Sequence, residues 1–259
     1  MKSFLIAFFM IMLAGCSAHG PVLDTSHPSL NHDSRVQFVI LHYTSANLER
    51  SLALLTHGEV SAHYLINDRP ATVYKLVDED QRAWHAGESE WQGRTWLNSS
   101  SIGIEMINPG YTDSANGRVW YPYSEEQISA LIDLLKGIVK RYNIDPRNVL
   151  GHSDIAPLRK QDPGPMFPWK RLAEAGLVRW PDAKAVAKQQ MFYAANLPGI
   201  SWFQQQLAQL GYAVPQTGNL DVATHHVIAA FQMHYRPARF DGEPDAESAA
   251  ILQVLNHTP

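Results

Sequence analysis

The stretch GHSDIAPLRKQDPGPMFPW, residues 151–169, concentrates side chains that can bind a metal ion or move a proton: His152, Asp154, Lys160 and Asp162. Two histidines and one carboxylate, with a fourth position left open, are a usual protein ligand set of a catalytic zinc site. This segment can supply one histidine and one carboxylate. A second histidine therefore has to come from elsewhere in the chain.

The carboxylate ligand could be either of the two aspartates in this segment. Asp162 precedes Pro163, and the residue before a proline is restricted to extended backbone, which limits where its carboxylate can point. Spacing along the chain does not exclude Asp154, because it says little about long-range convergence. The residues alone leave Asp154 and Asp162 as alternatives.

The second histidine is found near the end of a strongly apolar segment. VQFVILHY, residues 36–43, is apolar on both faces, which is typical of a buried central strand, and it contains His42. His152 directly follows another predicted strand within residues 148–152. Because ligand sites in α/β sheets gather beyond the carboxyl ends of strands, we expect His42 and His152 to converge. The alternative for His42 is a buried histidine satisfied by a backbone partner.

A further carboxylate lies in SIGIEMIN, residues 101–108, which also predicts a strand. Its large apolar residues share one face, whereas Ser101, Gly103 and Glu105 share the other. Small neighbours leave room for water or substrate beside Glu105, which suits a general base; the alternative is a solvated charge on an outer strand face. Lys160 could balance charge at the site or donate to a developing oxyanion, and is otherwise an exposed loop lysine.

These residues belong to a pattern of alternating strands and helices. Residues 61–68 and 71–77 predict a strand pair around a turn. Ser124 begins a capping-box sequence, S-E-E-Q, for an amphipathic helix that continues to about Tyr142. The alternation predicts an α/β fold with a mixed central β-sheet flanked by helices.

The C-terminal part of the chain is helical in pattern. Residues 181–199 predict a linker or packing segment, and from residue 200 onward apolar residues recur at helical spacing. A second helix is expected over about 221–234, and Asp245 can cap a third. We therefore predict a small C-terminal three-helix domain over residues 200–259.

The N-terminus, MKSFLIAFFMIMLAGC, has a basic residue, an apolar core and small residues before Cys16. The apolar run is too short for a permanent membrane span and suits a secretory signal. LAGC resembles the lipobox of bacterial lipoproteins, in which the cysteine is lipidated and becomes the first mature residue. An ordinary signal peptide with a chance cysteine is the alternative.

The lipobox resemblance implies a signal peptide over residues 1–15 and a lipid anchor, such as palmitate, on Cys16. Ser17, rather than Asp, follows the cysteine, and in the resembling lipoproteins this favours the outer membrane. The expected location is therefore the outer membrane, facing the periplasm. Residues 16–34 are polar and contain serine and proline, which predicts a flexible tether.

Bulk composition excludes some partners. The 259 residues carry a net charge of −4, so no basic field favours nucleic acid. Cys16 is the only cysteine, so no intramolecular disulfide can form. No heptad seam is present, and we expect a monomer.

Five motifs stand out along the chain: LHYT (41–44), SAHYLI (61–66), WHAG (84–87), SIGIE (101–105) and GHSDIAP (151–157) with the following K-x-D-PGP. Their types and order resemble zinc-dependent N-acetylmuramoyl-L-alanine amidases, the family that also includes the peptidoglycan recognition proteins. The resemblance covers about residues 35–180 and implies the catalytic fold of that family. The C-terminal region is similar to the three-helix peptidoglycan-binding domain.

Matching positions in these motifs imply three zinc ligands, a general base, an electrophilic helper and two residues that line the substrate groove. The choice of Asp162 over Asp154 as a ligand rests on this resemblance. In the order of the roles given, the residues are His42, His152 and Asp162; Glu105; Lys160; and His85 and Asn108.

The implied reaction is hydrolysis of the amide between N-acetylmuramic acid and the L-alanine of the stem peptide, in cell-wall turnover and recycling. It requires one Zn²⁺ per chain, and peptidoglycan or its muropeptides are the expected partners. One alternative is a non-catalytic, peptidoglycan-binding lipoprotein that anchors membrane to wall. Another is a zinc peptidase that cleaves within the stem peptide. The complete ligand set favours the amidase.

Overall fold

The computed structural model describes residues 20–115 and 117–257, and these fall into two units. The described part of the first unit, residues 20–33, is exposed and contains no helix or strand. The second unit begins at Ser34 and is compact. The predicted signal peptide and Cys16 lie outside the described residues. No helix within the described ranges is long and apolar enough to cross a membrane.

The compact unit contains nine strands and eight α-helices among the described residues. The strands are β1 (Phe38–Tyr43), β2 (Tyr64–Ile66), β3 (Val73–Lys75), β4 (Glu90–Trp91), β5 (Arg94–Thr95), β6 (Ser101–Met106), β7 (Tyr111–Ser114), β8 (Gly117–Trp120) and β9 (Val149–Gly151). The helices are α1 (Leu48–His57), α2 (Glu125–Tyr142), α3 (His152–Ile155), α4 (Trp169–Glu174), α5 (Ala183–Ala195), α6 (Ile200–Leu210), α7 (Val222–Tyr235) and α8 (Ala246–His257).

A five-stranded sheet in the order β3-β2-β6-β1-β9 forms the centre of the fold. The neighbours β2, β6, β1 and β9 pair in parallel, and β3 pairs antiparallel with β2 at one edge. The predicted mixed sheet and the predicted strand pair are both confirmed. Two short hairpins, β4-β5 and β7-β8, lie outside this sheet.

Strand β1 is central and buried on both faces, as its apolar sequence predicts. Val39 and Leu41 belong to a hydrophobic cluster that includes the apolar face of α2. Phe38 and Ile40 belong to a second cluster, which continues into α6, α7 and α8 and includes Phe231. The sheet face that carries Ile40 therefore shares a hydrophobic core with the C-terminal helices.

Helix α2 begins and is held in place by two polar residues. The hydroxyl of Ser124 accepts a hydrogen bond from the backbone N–H of Gln127 at 3.3 Å, which confirms the predicted N-cap. The Gln127 side chain does not close the predicted capping box. It donates instead to the carbonyls of Ile66 at 3.1 Å and Ile107 at 3.0 Å, which ties α2 to the ends of β2 and β6.

The segment predicted as a linker or packing segment, residues 181–199, contains helix α5. Asp182 caps this helix by accepting the N–H of Ala185 at 2.8 Å, and no glycine or proline interrupts the helix. The buried Tyr193 donates to Gln253 of α8 at 3.1 Å. An uninterrupted alanine-rich sequence with an N-cap is a helix former, and its tyrosine docks it against α8.

The three predicted C-terminal helices are confirmed as α6, α7 and α8. Asp221 and Asp245 each accept a backbone N–H three residues later at 2.8 Å, which places the starts of α7 and α8. Gly211 ends α6 with a φ of 133°, a backbone angle that only glycine adopts readily. The domain boundaries drawn from the sequence stay predictions.

Candidate metal centre and active-site pocket

The topology brings the predicted ligands to one edge of the sheet. β1 pairs in parallel with β9, so both strands end at the same edge. His42 lies near the end of β1, and His152 begins α3 directly after β9. The loop that follows α3 then returns Asp162 to the same place, where its backbone carbonyl accepts the N–H of Ser153 at 2.8 Å. The expected convergence of the two histidines is confirmed.

One atom of each predicted ligand faces a common centre. His42 Nδ1 lies 2.9 Å from His152 Nδ1 and 3.0 Å from Asp162 Oδ2, and His152 Nδ1 lies 3.1 Å from the same oxygen. All three residues are buried. Asp154, the alternative carboxylate, lies outside this cluster of ligand atoms.

The tautomer of His152 follows from its second ring nitrogen. Nε2 lies 3.1 Å from the backbone carbonyl of Ala86, and a carbonyl oxygen can only accept a hydrogen bond. With the proton on Nε2, donated to this carbonyl, Nδ1 presents its lone pair to the common centre. A histidine that donates its other N–H to a carbonyl in this way is typical of metal ligands.

The tautomer of His42 is set by a chain of hydrogen bonds that ends at a carbonyl. The Ser101 hydroxyl donates to the carbonyl of Leu97 at 2.7 Å, so its oxygen accepts from His85 Nε2 at 3.1 Å. His85 Nδ1 is then the acceptor for His42 Nε2 at 3.1 Å. Consequently the Nδ1 atom of His42 also presents a lone pair to the centre.

Three electron-pair donors that face each other at hydrogen-bond distance fit a cation. Burial lowers the pKa of His42 to about 4, so the ring is neutral at pH 7. Two imidazole nitrogens and one carboxylate oxygen thus form a donor set that can hold a divalent metal ion.

The close approach of His85 to the sheet requires glycine at position 103. A Cβ added to Gly103 would lie 2.3 Å from Cγ and 2.6 Å from Nδ1 of His85. We expect Gly103→Ala to displace this ring, to weaken metal binding, and to destabilise the fold by about 1–3 kcal/mol, as overpacking does.

Thermal unfolding and metal titration of the G103A protein check this expectation. Gly199→Ala is the control, since a Cβ there meets nothing within 4 Å. Metal affinity equal to that of the parent would show that His85 does not set the orientation of His42.

Beside the metal centre lies a pocket of about 910 Å³, lined by all the predicted catalytic and ligand residues. Glu105 is in register with His42 on the neighbouring parallel strand. Its Oε2 atom is buried and has no hydrogen-bond partner in the described part of the chain. Burial, followed by repulsion from Asp162, raises the pKa of Glu105 to about 8, while Lys160 acts in the opposite direction. A partly desolvated carboxyl group with a free oxygen can accept a proton.

Lys160 and His85 are the other two predicted residues that line the pocket. Lys160 is partly buried and lines the pocket close to Glu105 and His42. His85 also lines the pocket, but its ring nitrogens are engaged by His42 and Ser101.

Asn108 is not among the residues that line this pocket, and the groove role implied by the resemblance stays a prediction. Its side-chain oxygen accepts the N–H of Gly110 at 2.7 Å, and its side-chain NH₂ group donates to the backbone carbonyls of Tyr121 and Pro122. With its polar atoms so engaged, Asn108 holds the two ends of the β7-β8 hairpin together.

Sequence reasoning missed Asn98, a buried residue that positions the partners of both histidine ligands. Its side-chain oxygen accepts the N–H of His85 at 3.0 Å and of Ala86 at 2.7 Å. The guanidinium of Arg159 also donates to the carbonyl of Ala86. An asparagine in a short 3-10 helix and an arginine in a turn carry no local pattern that distinguishes them from exposed residues.

The sequence matches known protein families in two regions. Residues 32–165 match the family described as N-acetylmuramoyl-L-alanine amidase, and residues 196–252 match a family described as putative peptidoglycan binding domain. The first match contains the complete candidate metal centre.

Full-length relatives share both regions. The chain is 42% identical to the N-acetylmuramoyl-L-alanine amidase AmiD of Escherichia coli over 95% of its own length and 94% of that protein. A putative N-acetylmuramoyl-L-alanine amidase of Rickettsia conorii is 27% identical over 85% of this chain and 84% of its own.

Two solved structures resemble the fold over most of its length. AmiD of E. coli, in complex with anhydro-N-acetylmuramic acid-L-Ala-D-gamma-Glu-L-Lys, superposes with a TM-score of 0.82 at 42% identity, covering 90% of this chain and 93% of that one. AmpDh3 of Pseudomonas aeruginosa, in complex with an anhydromuramic pentapeptide, has a TM-score of 0.85 at 39% identity, covering 91% and 97%. From its family match, its relatives and its fold, the chain belongs to the N-acetylmuramoyl-L-alanine amidase family.

Proposed function

We propose that this protein is a zinc-dependent amidase that hydrolyses the bond between N-acetylmuramic acid and the L-alanine of the stem peptide. The convergence of His42, His152 and Asp162 beside Glu105 in one pocket carries the proposal. The muropeptide complexes of two similar proteins support the substrate class. Peptidoglycan and its fragments are thus the proposed partners.

The donor set favours zinc as the metal ion. Two imidazole nitrogens and one carboxylate oxygen, with a position left for substrate, are typical of catalytic zinc sites and untypical of magnesium or calcium, which prefer all-oxygen ligands. When bound, the ion supplies Lewis-acid chemistry that polarises the scissile carbonyl.

The side chains of the pocket divide the proton and charge transfers between them. Glu105 accepts a proton from the attacking water and returns it to the departing amine. Lys160 donates to the oxyanion that develops on the carbonyl oxygen. His42, His152 and Asp162 hold the centre about which these groups are arranged.

The pH dependence of the reaction reports the ionisation of Glu105. The base must be ionised, and its pKa is raised by burial to about 8 in the absence of a metal ion. A cation close by favours the ionised form and moves this pKa down. We therefore expect kcat/KM to fall as pH decreases, with a midpoint above 4.5 and below about 8.

Initial rates between pH 4 and 9 on one purified muropeptide measure this profile. A midpoint at the ordinary glutamate value of 4.5 would contradict the assignment of the desolvated Glu105 as the base.

Mass spectrometry of digested muropeptides tests the function itself. An amidase releases the intact stem peptide from muramic acid. Shortened peptides still attached to the sugar would favour a zinc peptidase. Stoichiometric wall binding without any product would favour a non-catalytic anchor.

We further propose that the protein is a monomeric lipoprotein of the outer membrane, facing the periplasm, with palmitate among the acyl chains on Cys16. The LAGC sequence and Ser17 support this location. Residues 16–34 would then tether the enzyme to the membrane. Palmitate labelling that persists in Cys16→Ala, or an outer-membrane fraction free of the protein, would contradict it.

A further inference from the structure

A buried carboxylate lies two residues beyond a predicted metal ligand and takes no direct part in the metal centre. Asp154 belongs to α3, the short helix that His152 begins, and is 1% exposed. Its Oδ2 atom accepts the N–H of Gly151 at 2.7 Å. This local hydrogen bond ties Asp154 to the last residue of β9.

The other two donors to Asp154 come from the C-terminal helical region. The hydroxyl of Tyr212 donates to Oδ1 at 2.6 Å, and Nδ1 of His234 donates to Oδ2 at 2.8 Å. Both residues fall within residues 196–252, the segment that matches the peptidoglycan-binding family. They are 58 and 80 residues away from Asp154 in the sequence.

Both donors are held rigidly. The ring of His234 is stacked between Trp169, with centroids 3.8 Å apart, and Tyr235, at 4.1 Å. The ring of Tyr212 packs edge-on against Trp91 at 4.8 Å. Each donor is at least nine-tenths buried, so water does not compete freely for the carboxylate.

Helix α3 transmits this anchoring to the metal centre. His152 begins this helix, and the N–H of Ser153 donates to the backbone carbonyl of Asp162, so a shift of α3 moves these two ligands relative to His42 on β1. The contact between this helix and the ligand loop is tight. A Cβ on Gly151 would lie 2.7 Å from Cδ of Pro163, the residue after Asp162.

We propose that Tyr212 and His234 are positioning residues for the metal site, acting through Asp154 and α3 on His152. The inference rests on the proposed metal-dependent function. It gives the C-terminal helices a role in metal binding that is separate from any contact with peptidoglycan. The shared hydrophobic core between the sheet and α7 supports the same mechanical connection.

Removal of single donor groups tests the proposal in the full chain. Tyr212→Phe deletes one hydroxyl and keeps the ring. Tyr212→Phe combined with His234→Phe deletes both donors and keeps two aromatic side chains. The matched control is Tyr193→Phe. Tyr193 of α5 is also buried, but its hydroxyl donates to Gln253 of α8 and not to Asp154.

The dissociation constant for Zn²⁺, measured by competition with a chromophoric chelator, is the main readout. Loss of a residue that orients a metal ligand typically costs about 10–100-fold in metal affinity. We expect a loss in this range for the double variant, a smaller loss for Tyr212→Phe, and none for Tyr193→Phe. His234→Asn, which keeps an N–H donor near the position of Nδ1, should recover part of the loss seen in His234→Phe.

Thermal unfolding in parallel separates positioning from stability. Unchanged Zn²⁺ affinity in folded Tyr212→Phe and in the double variant would overturn the proposal, even if both unfold at lower temperature. If the double variant does not fold, Tyr212→Phe and the comparison of His234→Asn with His234→Phe decide. A parent protein that neither binds Zn²⁺ nor releases stem peptide would instead contradict the proposed function.

Discussion

Asp162→Ala is expected to abolish both metal binding and release of the stem peptide. The carboxylate supplies the only negative charge among the three ligand atoms, and its oxygen lies 3.0–3.1 Å from both histidine nitrogens. The two remaining imidazole ligands in this buried site then have no anion beside them to offset the charge of a divalent ion. We expect the affinity for the metal ion to fall by more than about 100-fold. A loss up to that size is typical when a hydrogen-bond partner of a ligand, rather than the ligand itself, is removed.

Metal content after dialysis and the rate of muropeptide hydrolysis measure the effect of D162A. Asp133→Ala is the control for loss of one negative charge, since its side chain is 80% exposed and 3.5 Å from Lys136. Chelation of the parent protein should reproduce the D162A phenotype, and added Zn²⁺ should reverse it. Full activity of a metal-free preparation would contradict the metal-dependent mechanism.

Glu105→Gln should leave the metal bound and reduce turnover. Positioned general acid–base groups contribute typically about 10²–10⁴-fold to rate, and we expect kcat to fall by this range. The amide has nearly the shape of the carboxyl group, so the pocket and the neighbouring His42 are preserved. The substitution converts the carboxyl group, whose Oε2 atom has no hydrogen-bond partner, into an amide that cannot act as a base.

The measurements for E105Q are kcat, KM and metal content of the same preparation. A fall in kcat with unchanged metal content supports the role as a base. Loss of metal would show that Glu105 is a ligand, and unchanged kcat would show that another group accepts the proton.

Stability against pH gives an independent view of the same residue in metal-free protein. Its pKa in the folded state, about 8, lies above the ordinary value of 4.5, so the folded protein keeps a proton that the unfolded chain loses. The free energy of unfolding should therefore fall as pH rises from about 4.5 to 8. This part of the pH dependence should be missing from E105Q.

Much of the fold and of the metal centre could be predicted from local patterns. The apolar run that ends near His42, the strand before His152 and the alternation around Glu105 each follow from side-chain periodicity. Parallel strands end at one edge of a sheet, and this made the meeting of two histidines predictable. The choice of Asp162 over Asp154 needed the family resemblance, and in the structure Asp162 is the one that joins the cluster.

Other features could not be predicted because their partners are distant in sequence. Gln127 fits a capping box, yet it bonds to Ile66 and Ile107, because α2 is packed under the ends of two strands. The side chain of Asn108 bonds to the two ends of the β7-β8 hairpin, which its place in the sequence does not indicate. A short-range pattern cannot show which of several possible acceptors a buried amide will reach.

The sequence by itself determined the α/β pattern, the three C-terminal helices and the types of residue available for a metal-dependent hydrolysis. Only the tertiary structure decided which nitrogen of each histidine faces the centre, through the carbonyls of Ala86 and Leu97. It also decided that Asp154 is anchored by Tyr212 and His234. The physical reason is that periodicity records which residues are buried, whereas proton positions and ligand orientation depend on hydrogen-bond partners that meet only when the chain is packed.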